Sequence, residues 1–137
     1  MKTIKDIIEL RNRAINEYCD AVKYRGTVNY SRRVSKGIQY ILSHLDEEIS
    51  LDLLAKELEV NPTYFSRLFR KETGITVSQY INTKRINEAG YLLMHTSASI
   101  ADISLQAGYP DSGYFSRVFH KIKRMTPTEW RNKEKNF

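Results

Sequence analysis

Residues 64–69 read Tyr64-Phe-Ser-Arg-Leu-Phe69, and residues 114–119 read Tyr114-Phe-Ser-Arg-Val-Phe119. Five of these six positions are identical. The agreement continues outward at an offset of 50, with Lys71 on Lys121, Thr76 on Thr126 and the aromatic Tyr80 on Trp130. Upstream, Leu51-Asp-Leu-Leu54 falls on Ile100-Ala-Asp-Ile103 at an offset of 49. The second copy therefore carries one extra residue, within Gly108-Tyr-Pro-Asp-Ser112, and turns accept insertions that helices do not. Matched flanks on both sides make this an internal duplication of one structural unit.

Each copy reads as helix. Val34, Ile38, Ile41, Leu42 and Leu45 recur at steps of three and four behind a candidate cap, Ser31. Leu51, Leu54, Ala55 and Leu58 repeat the pattern after Ser50, and Phe65, Leu68 and Phe69 repeat it after Asn61-Pro62. Thr76-Val-Ser-Gln79 is a capping box that opens a long helix to about Met94. Ser99 opens a helix through Ile100, Ile103 and Ala107; Asp111 opens one carrying Phe115, Val118 and Phe119; Thr126-Pro-Thr-Glu129 is a second capping box. Period-two alternation is sustained nowhere, and the chain has only three prolines and six glycines. The expected fold class is all-α.

Composition narrows the function. The 137 residues suit one ordinary domain or two very small ones, and 22 Lys and Arg against 16 Asp and Glu give a net charge of +6. A surplus of that size is a modest vote for a polyanionic partner. No apolar run approaches the roughly 20 residues of a bilayer span, the start has no signal-peptide pattern, and a cytoplasmic setting is expected. The single cysteine, Cys19, supports neither a disulfide framework nor a cysteine-based zinc site. His44, His95 and His120 have no ligand spacing, and no phosphate loop, nucleophile elbow or carboxylate pair appears. Neither an enzyme nor a cofactor or metal is expected.

A short helix, a turn and a second helix make a helix-turn-helix, whose second helix enters a DNA major groove. In the first copy the inward stripe leaves Thr63, Ser66, Arg67, Arg70 and Lys71 outward. In the second it leaves Ser112, Gly113, Ser116, Arg117, His120 and Lys121. Neither face carries a carboxylate before Glu72, whereas a solvated helix face ordinarily mixes both signs. Arg67 and Arg117 have the planar fork that fits guanine O6 and N7, and serines donate to base or phosphate. The connecting helix, about 18 residues and about 27 Å long, is expected to hold the units close to one DNA turn apart, about 34 Å. The stacking aromatics lie on the inward side, which disfavours RNA. A protein-interaction module is the alternative class, and steep salt dependence separates groove binding from it.

From about Val34 to Arg131 the chain resembles the DNA-binding domain of the AraC/XylS family of bacterial transcription regulators. The resemblance rests on Ser50-Leu-Asp-Leu-Leu-Ala55, Tyr64-Phe-Ser-Arg-Leu-Phe-Arg-Lys-Glu-Thr-Gly74, Ile100-Ala-Asp-Ile103, Ala107-Gly108-Tyr109, Tyr114-Phe-Ser-Arg-Val-Phe119 and Thr126-Pro-Thr-Glu-Trp-Arg131. It implies a seven-helix domain with two helix-turn-helix units, about 34–75 and 96–131, joined by helix 77–94 and bound to promoter DNA. It implies base contacts at Thr63, Ser66, Arg67, Ser112, Gly113, Ser116 and Arg117. Phosphate contacts are implied at Arg70, Lys71, His120, Lys121 and Lys123 and at the N-termini of flanking helices. Two positions depart from the family pattern. Arg124 stands where a glycine usually ends the second reading helix, so that turn is expected to be rearranged or weakened. Gly113 removes a side chain, so the first unit is expected to discriminate more.

Residues 1–30 fall outside that resemblance. Ile4, Ile8, Ile15, Tyr18 and Val22, with Arg11 interrupting, predict one amphipathic helix from about Thr3 to Tyr24 followed by a basic linker. A lone helix of this kind does not bury its own stripe. It is expected to fold onto the domain, to pair two chains as a homodimer, or to pack on an effector domain of a longer regulator. RNA polymerase is a further expected partner, and a membrane is not.

Overall fold

Seven helices alternate with short turns over residues 29–133, the part of the chain that the computed structural model describes. They are α1 Arg32–Ser43, α2 Leu51–Glu57, α3 Pro62–Thr73, α4 Val77–His95, α5 Ile100–Gln106, α6 Ser112–Lys123 and α7 Pro127–Lys133. No strand occurs among the described residues, and no helix there is long and apolar enough to cross a membrane. The helix expected over Thr3 to Tyr24 lies outside the described residues.

The capping side chains set the helix starts. Ser31 Oγ accepts from Val34 N–H, Ser50 from Leu53, Asn61 from Tyr64 and Ser99 from Asp102. Asp111 accepts from both Gly113 and Tyr114, and Thr126 Oγ1 accepts from Glu129. At Thr76 both halves of the capping box form, with Gln79 Oε1 accepting from Thr76 N–H at 3.0 Å. Each such cap contributes about 1 kcal/mol by satisfying a first-turn donor.

Two apolar cores result, and α4 belongs to both. Val34, Ile41, Leu54, Phe65 and Phe69 bury against Val77 and Ile81 from the start of α4. Ile103, Ala107, Tyr109, Phe115 and Phe119 bury against Ile86, Ala89, Leu92 and Leu93 from its remainder. Ile81 and Ile86 are five residues apart, about 140° around the helix, so α4 turns a different side to each core. Trp130 of α7 stands edge-on to Phe119, with ring centroids 5.8 Å apart, and its Nε1–H donates to Gly90 O at 3.0 Å. Arg131 caps the other end of the strut by donating to Leu93 O, Thr96 O and Ala98 O.

The duplication is exact down to the turn hydrogen bonds. After α2, Val60 N–H reaches Ala55 O and Glu59 N–H reaches Lys56 O; after α5, Tyr109 N–H reaches Ser104 O and Gly108 N–H reaches Leu105 O. Both are Schellman turns, and the extra residue of the second copy, Pro110, follows directly. The turn residues with left-handed backbone are Glu59 (φ 56°) in the first copy and Gly108 (φ 94°) in the second. At the ends of the reading helices the residue types are reversed. Gly74 has φ 83° and Arg124 has φ 63°, and each donates its N–H to the carbonyl four residues back at 2.8 Å. The expected rearrangement at Arg124 does not occur. Four-residue closure of the helix end holds the turn, and a side chain tolerates the left-handed region at a cost of roughly 1 kcal/mol.

Arg124→Gly is accordingly expected to raise stability by about 0.5–1 kcal/mol in urea denaturation, with no change in the slope of the transition. Tyr109 is buried in the second core. Burial pushes its phenol up to about 12, against the opposing pull of the Arg85 guanidinium and with a smaller upward push from Tyr114. The neutral phenol thus stabilises the fold fully below the ordinary tyrosine value of 10, and that contribution is lost as pH rises through 12. The stability difference between the wild type and Tyr109→Phe should shrink over that interval by on the order of 2 kcal/mol.

Candidate nucleic-acid interface

The reading helices owe their orientation to four phenylalanines. Phe65 and Phe69 of α3, and Phe115 and Phe119 of α6, are fully buried, which turns the opposite side of each helix to solvent. On α3 this side exposes Thr63, Arg67, Arg70 and Lys71, with Ser66 half-buried at its edge. On α6 it exposes Ser112, Gly113, Arg117, His120 and Lys121, with Ser116 half-buried in the position equivalent to Ser66. Arg67, Arg70, Lys71, His120 and Lys121 make no side-chain hydrogen bond, ion pair or ring contact among the described residues. Arg117 leans along its own helix, its guanidinium carbon 5.9 Å from the centre of the Tyr114 ring.

The carboxylates nearest these faces are drawn onto backbone donors. Glu72 Oε1 accepts the Ser31 N–H at 2.6 Å, and Asp111 Oδ1 accepts Gly113 N–H at 2.8 Å and Tyr114 N–H at 3.2 Å. Negative charge is thereby held at the ends of the reading helices, and the faces between stay cationic. A polyphosphate is attracted to such a surface with a strength that falls as salt rises.

Lys123 is placed differently from the other cations of the set. It is half-buried, its ammonium donates to Asn87 Oδ1 at 2.7 Å, and it lies 5.0 Å from the Trp130 ring. It ties α6 to α4 and α7. At Gly113 the backbone angle does not demand glycine, but an added Cβ would lie 3.2 Å from Asp111 Oδ1, a tight contact that the capping carboxylate would have to shift to relieve.

Two aromatics of these faces do not lie on the inward side expected for them. Tyr64 and Tyr114 are 47% and 48% exposed, beside Thr63 and Gly113 in the first turn of each reading helix. Arg33 of α1 donates to the Tyr64 hydroxyl at 3.1 Å and stacks its guanidinium over that ring. The signal was in the repeat. Tyrosine recurs at this position in both copies although the inward stripe begins one residue later, so the phenol is not there for the core.

Two helix-turn-helix units on a shared strut, each showing a cationic face on its second helix, define a DNA-binding module of transcription regulators. A family model described as a helix-turn-helix domain matches residues 54–133. The chain belongs to the AraC-type helix-turn-helix family of transcription regulators. It is 34% identical over 107 residues to the regulatory protein PocR of Salmonella typhimurium, a match covering 78% of this chain and 35% of PocR. Among solved structures, the C-terminal domain of AraT, a response regulator from Geobacillus stearothermophilus, is 31% identical with a TM-score of 0.75, covering 77% of this chain and 88% of that one. The DNA-binding domain of AdpA, solved in complex with a target DNA, shares the fold at 22% identity and a TM-score of 0.72, over 77% of this chain and 97% of that one. The chain spans about a third of the length of PocR.

Proposed function

We propose that the chain binds duplex DNA by placing α3 and α6 in successive major grooves on one side of the double helix. The observation that carries this reading is the twice-repeated outward face, cationic and free of carboxylate, on helices of matched length and matched capping. Base edges are read by Thr63, Ser66 and Arg67 in one groove and by Ser112, Gly113, Ser116 and Arg117 in the other. Arg70, Lys71, His120, Lys121 and Lys123 hold the phosphates alongside, and Lys123 also tethers its helix to Asn87 of α4. The 19 residues of α4 make a strut of about 28 Å, near the pitch of one DNA turn.

The two outward faces differ in sequence, so the site is asymmetric and a single chain does the work of a symmetric dimer. Residues 31–137 form the reading module, and residues 1–30 join it to a partner, whether a second copy or an effector domain. Leu105, 57% exposed on α5, offers apolar surface to a protein such as RNA polymerase. The role is regulatory and not enzymatic, and it belongs with the nucleoid in the cytoplasm.

Selection of bound duplexes from a random library tests binding, site length and asymmetry together. An unenriched pool, or binding indifferent to salt, overturns the reading. Arg67→Ala is expected to cost about 1–3 kcal/mol on the selected site and to relax preference at one base pair; equal loss on random DNA in an anisotropy titration would make Arg67 a phosphate contact. Lys121→Ala is expected to weaken all sequences alike and to lower the salt slope by about 1. An unchanged slope would remove Lys121 from the interface.

A further inference from the structure

At the middle of α4 a charged side chain is buried where the two units meet. Arg85 is 9% exposed, and its guanidinium reaches into the α1–α2 loop of the first unit. Nε–H donates to Leu45 O at 3.1 Å and Nη2–H donates to Glu47 O at 2.5 Å. The same group lies 5.6 Å from the ring centre of Tyr109, in the helix-turn-helix turn of the second unit. Tyr109 is fixed in turn by its hydroxyl, which donates to Asn82 Oδ1 at 2.7 Å, one helical turn before Arg85. Desolvation lowers the guanidinium pKa, with Tyr109 and Asp46 acting in the opposite sense; an arginine nevertheless stays charged at any working pH.

The backbone is shaped around this group. A Cβ at Gly108 would lie 2.7 Å from Leu45 O and 2.9 Å from Arg85 Nε. Gly108, which sits in the second unit's turn, thus lies directly against the Leu45 carbonyl of the first unit's loop, beside the guanidinium that bonds that carbonyl. The contact touches the margin of both cores, since Tyr109 is buried in the second and Leu45 packs against the first. What it constrains is the angle between the units. A guanidinium bonded to two carbonyls in a fixed fork resists rotation in a way that an apolar contact does not.

We propose that Arg85 is a positioning residue for two-site DNA recognition: by tying the Leu45–Glu47 loop to the Gly108–Tyr109 turn it sets the half-site spacing that α3 and α6 accept together. This rests on the reading of α3 and α6 as groove-binding helices. When two linked modules engage at once, affinity on the full site exceeds that of either half, and the gain vanishes if the geometry is wrong. One base pair added between half-sites displaces the second by about 3.4 Å and turns it by about 35°. A fixed pair of units rejects that change, and a loosened pair follows it.

The test uses the full chain and three kinds of duplex. These are the duplex recovered by selection, the same duplex with one base pair added or removed between its halves, and duplexes with one half scrambled. The wild type is expected to lose about tenfold in affinity on the shifted duplexes. Arg85→Lys and Arg85→Met should bind the selected duplex about tenfold more weakly, keep wild-type affinity for the single-half duplexes, and show a shift penalty within about twofold. A variant that is folded by circular dichroism and retains the wild-type penalty overturns the proposal. So does a wild type that engages both halves yet tolerates the shift. Loss of folding in both variants also overturns it, since Arg85 would then hold the cores together and not orient them. A second measurement stands apart from DNA. With Cys19→Ser and spin labels at the exposed positions Glu57 and Gln106, the inter-label distance should be single and narrow in the wild type and broadened in Arg85→Lys. Equal widths overturn the proposal. If the wild type retains no duplex at all, the groove-binding reading fails and the label distances alone decide the role of Arg85.

Discussion

Val77 and Ile81 of α4 close the first core while Ile86, Ala89, Leu92 and Leu93 of the same helix close the second, so forming either core orders the strut that carries the other. This sharing is the constraint from which the arrangement follows. An isolated helix of 19 residues is only marginally stable in water. Here it is clamped along its length by packing on two different sides and capped at its end by Arg131. A connector between two independent units would allow them to wander. A helix that is part of both cores gives them a common frame, and the pair of reading faces inherits that frame.

Much of this was legible from residue order alone, because the decisive signals are local. The caps at Ser31, Ser50, Asn61, Thr76, Ser99 and Asp111 work through hydrogen bonds spanning two or three residues. The phenylalanine pairs at 65/69 and 115/119 lie one helical turn apart, so their common face needs no tertiary information. Charged residues were the weaker guide. The resemblance places Lys123 at phosphate without showing that it also reaches Asn87, and Arg85, to which the residue pattern assigns no role, is buried against carbonyls 38 and 40 residues away in the chain. Nothing within a helical turn of either residue announces those partners. Tyr64 and Tyr114 mislead in the opposite sense, since an aromatic next to a core phenylalanine invites burial and both rings are half in solvent.

The two copies also show where a duplicated unit is free to vary. Left-handed backbone is needed at the same two places in each, yet the glycine serves the inner turn in one copy and the helix end in the other. Close approach explains the inner position of the second copy, where Leu45 O leaves no room for a Cβ at residue 108. At residue 74 a Cβ would meet nothing within 4 Å, so glycine there answers only to the backbone angle. Arg124 takes the same left-handed backbone at the equivalent position and is exposed. Steric exclusion is absolute at one site, and conformational preference is a matter of degree at the other.

Trp130 is the only tryptophan in the chain, and it packs edge-on to Phe119 in the second core. Its emission therefore follows the loosening of that half alone, while far-ultraviolet ellipticity sums over every helix. The two signals coincide on heating only if both halves melt as one cooperative block. The placement of a single indole thus makes the molecule its own reporter of whether the shared strut couples its ends during denaturation.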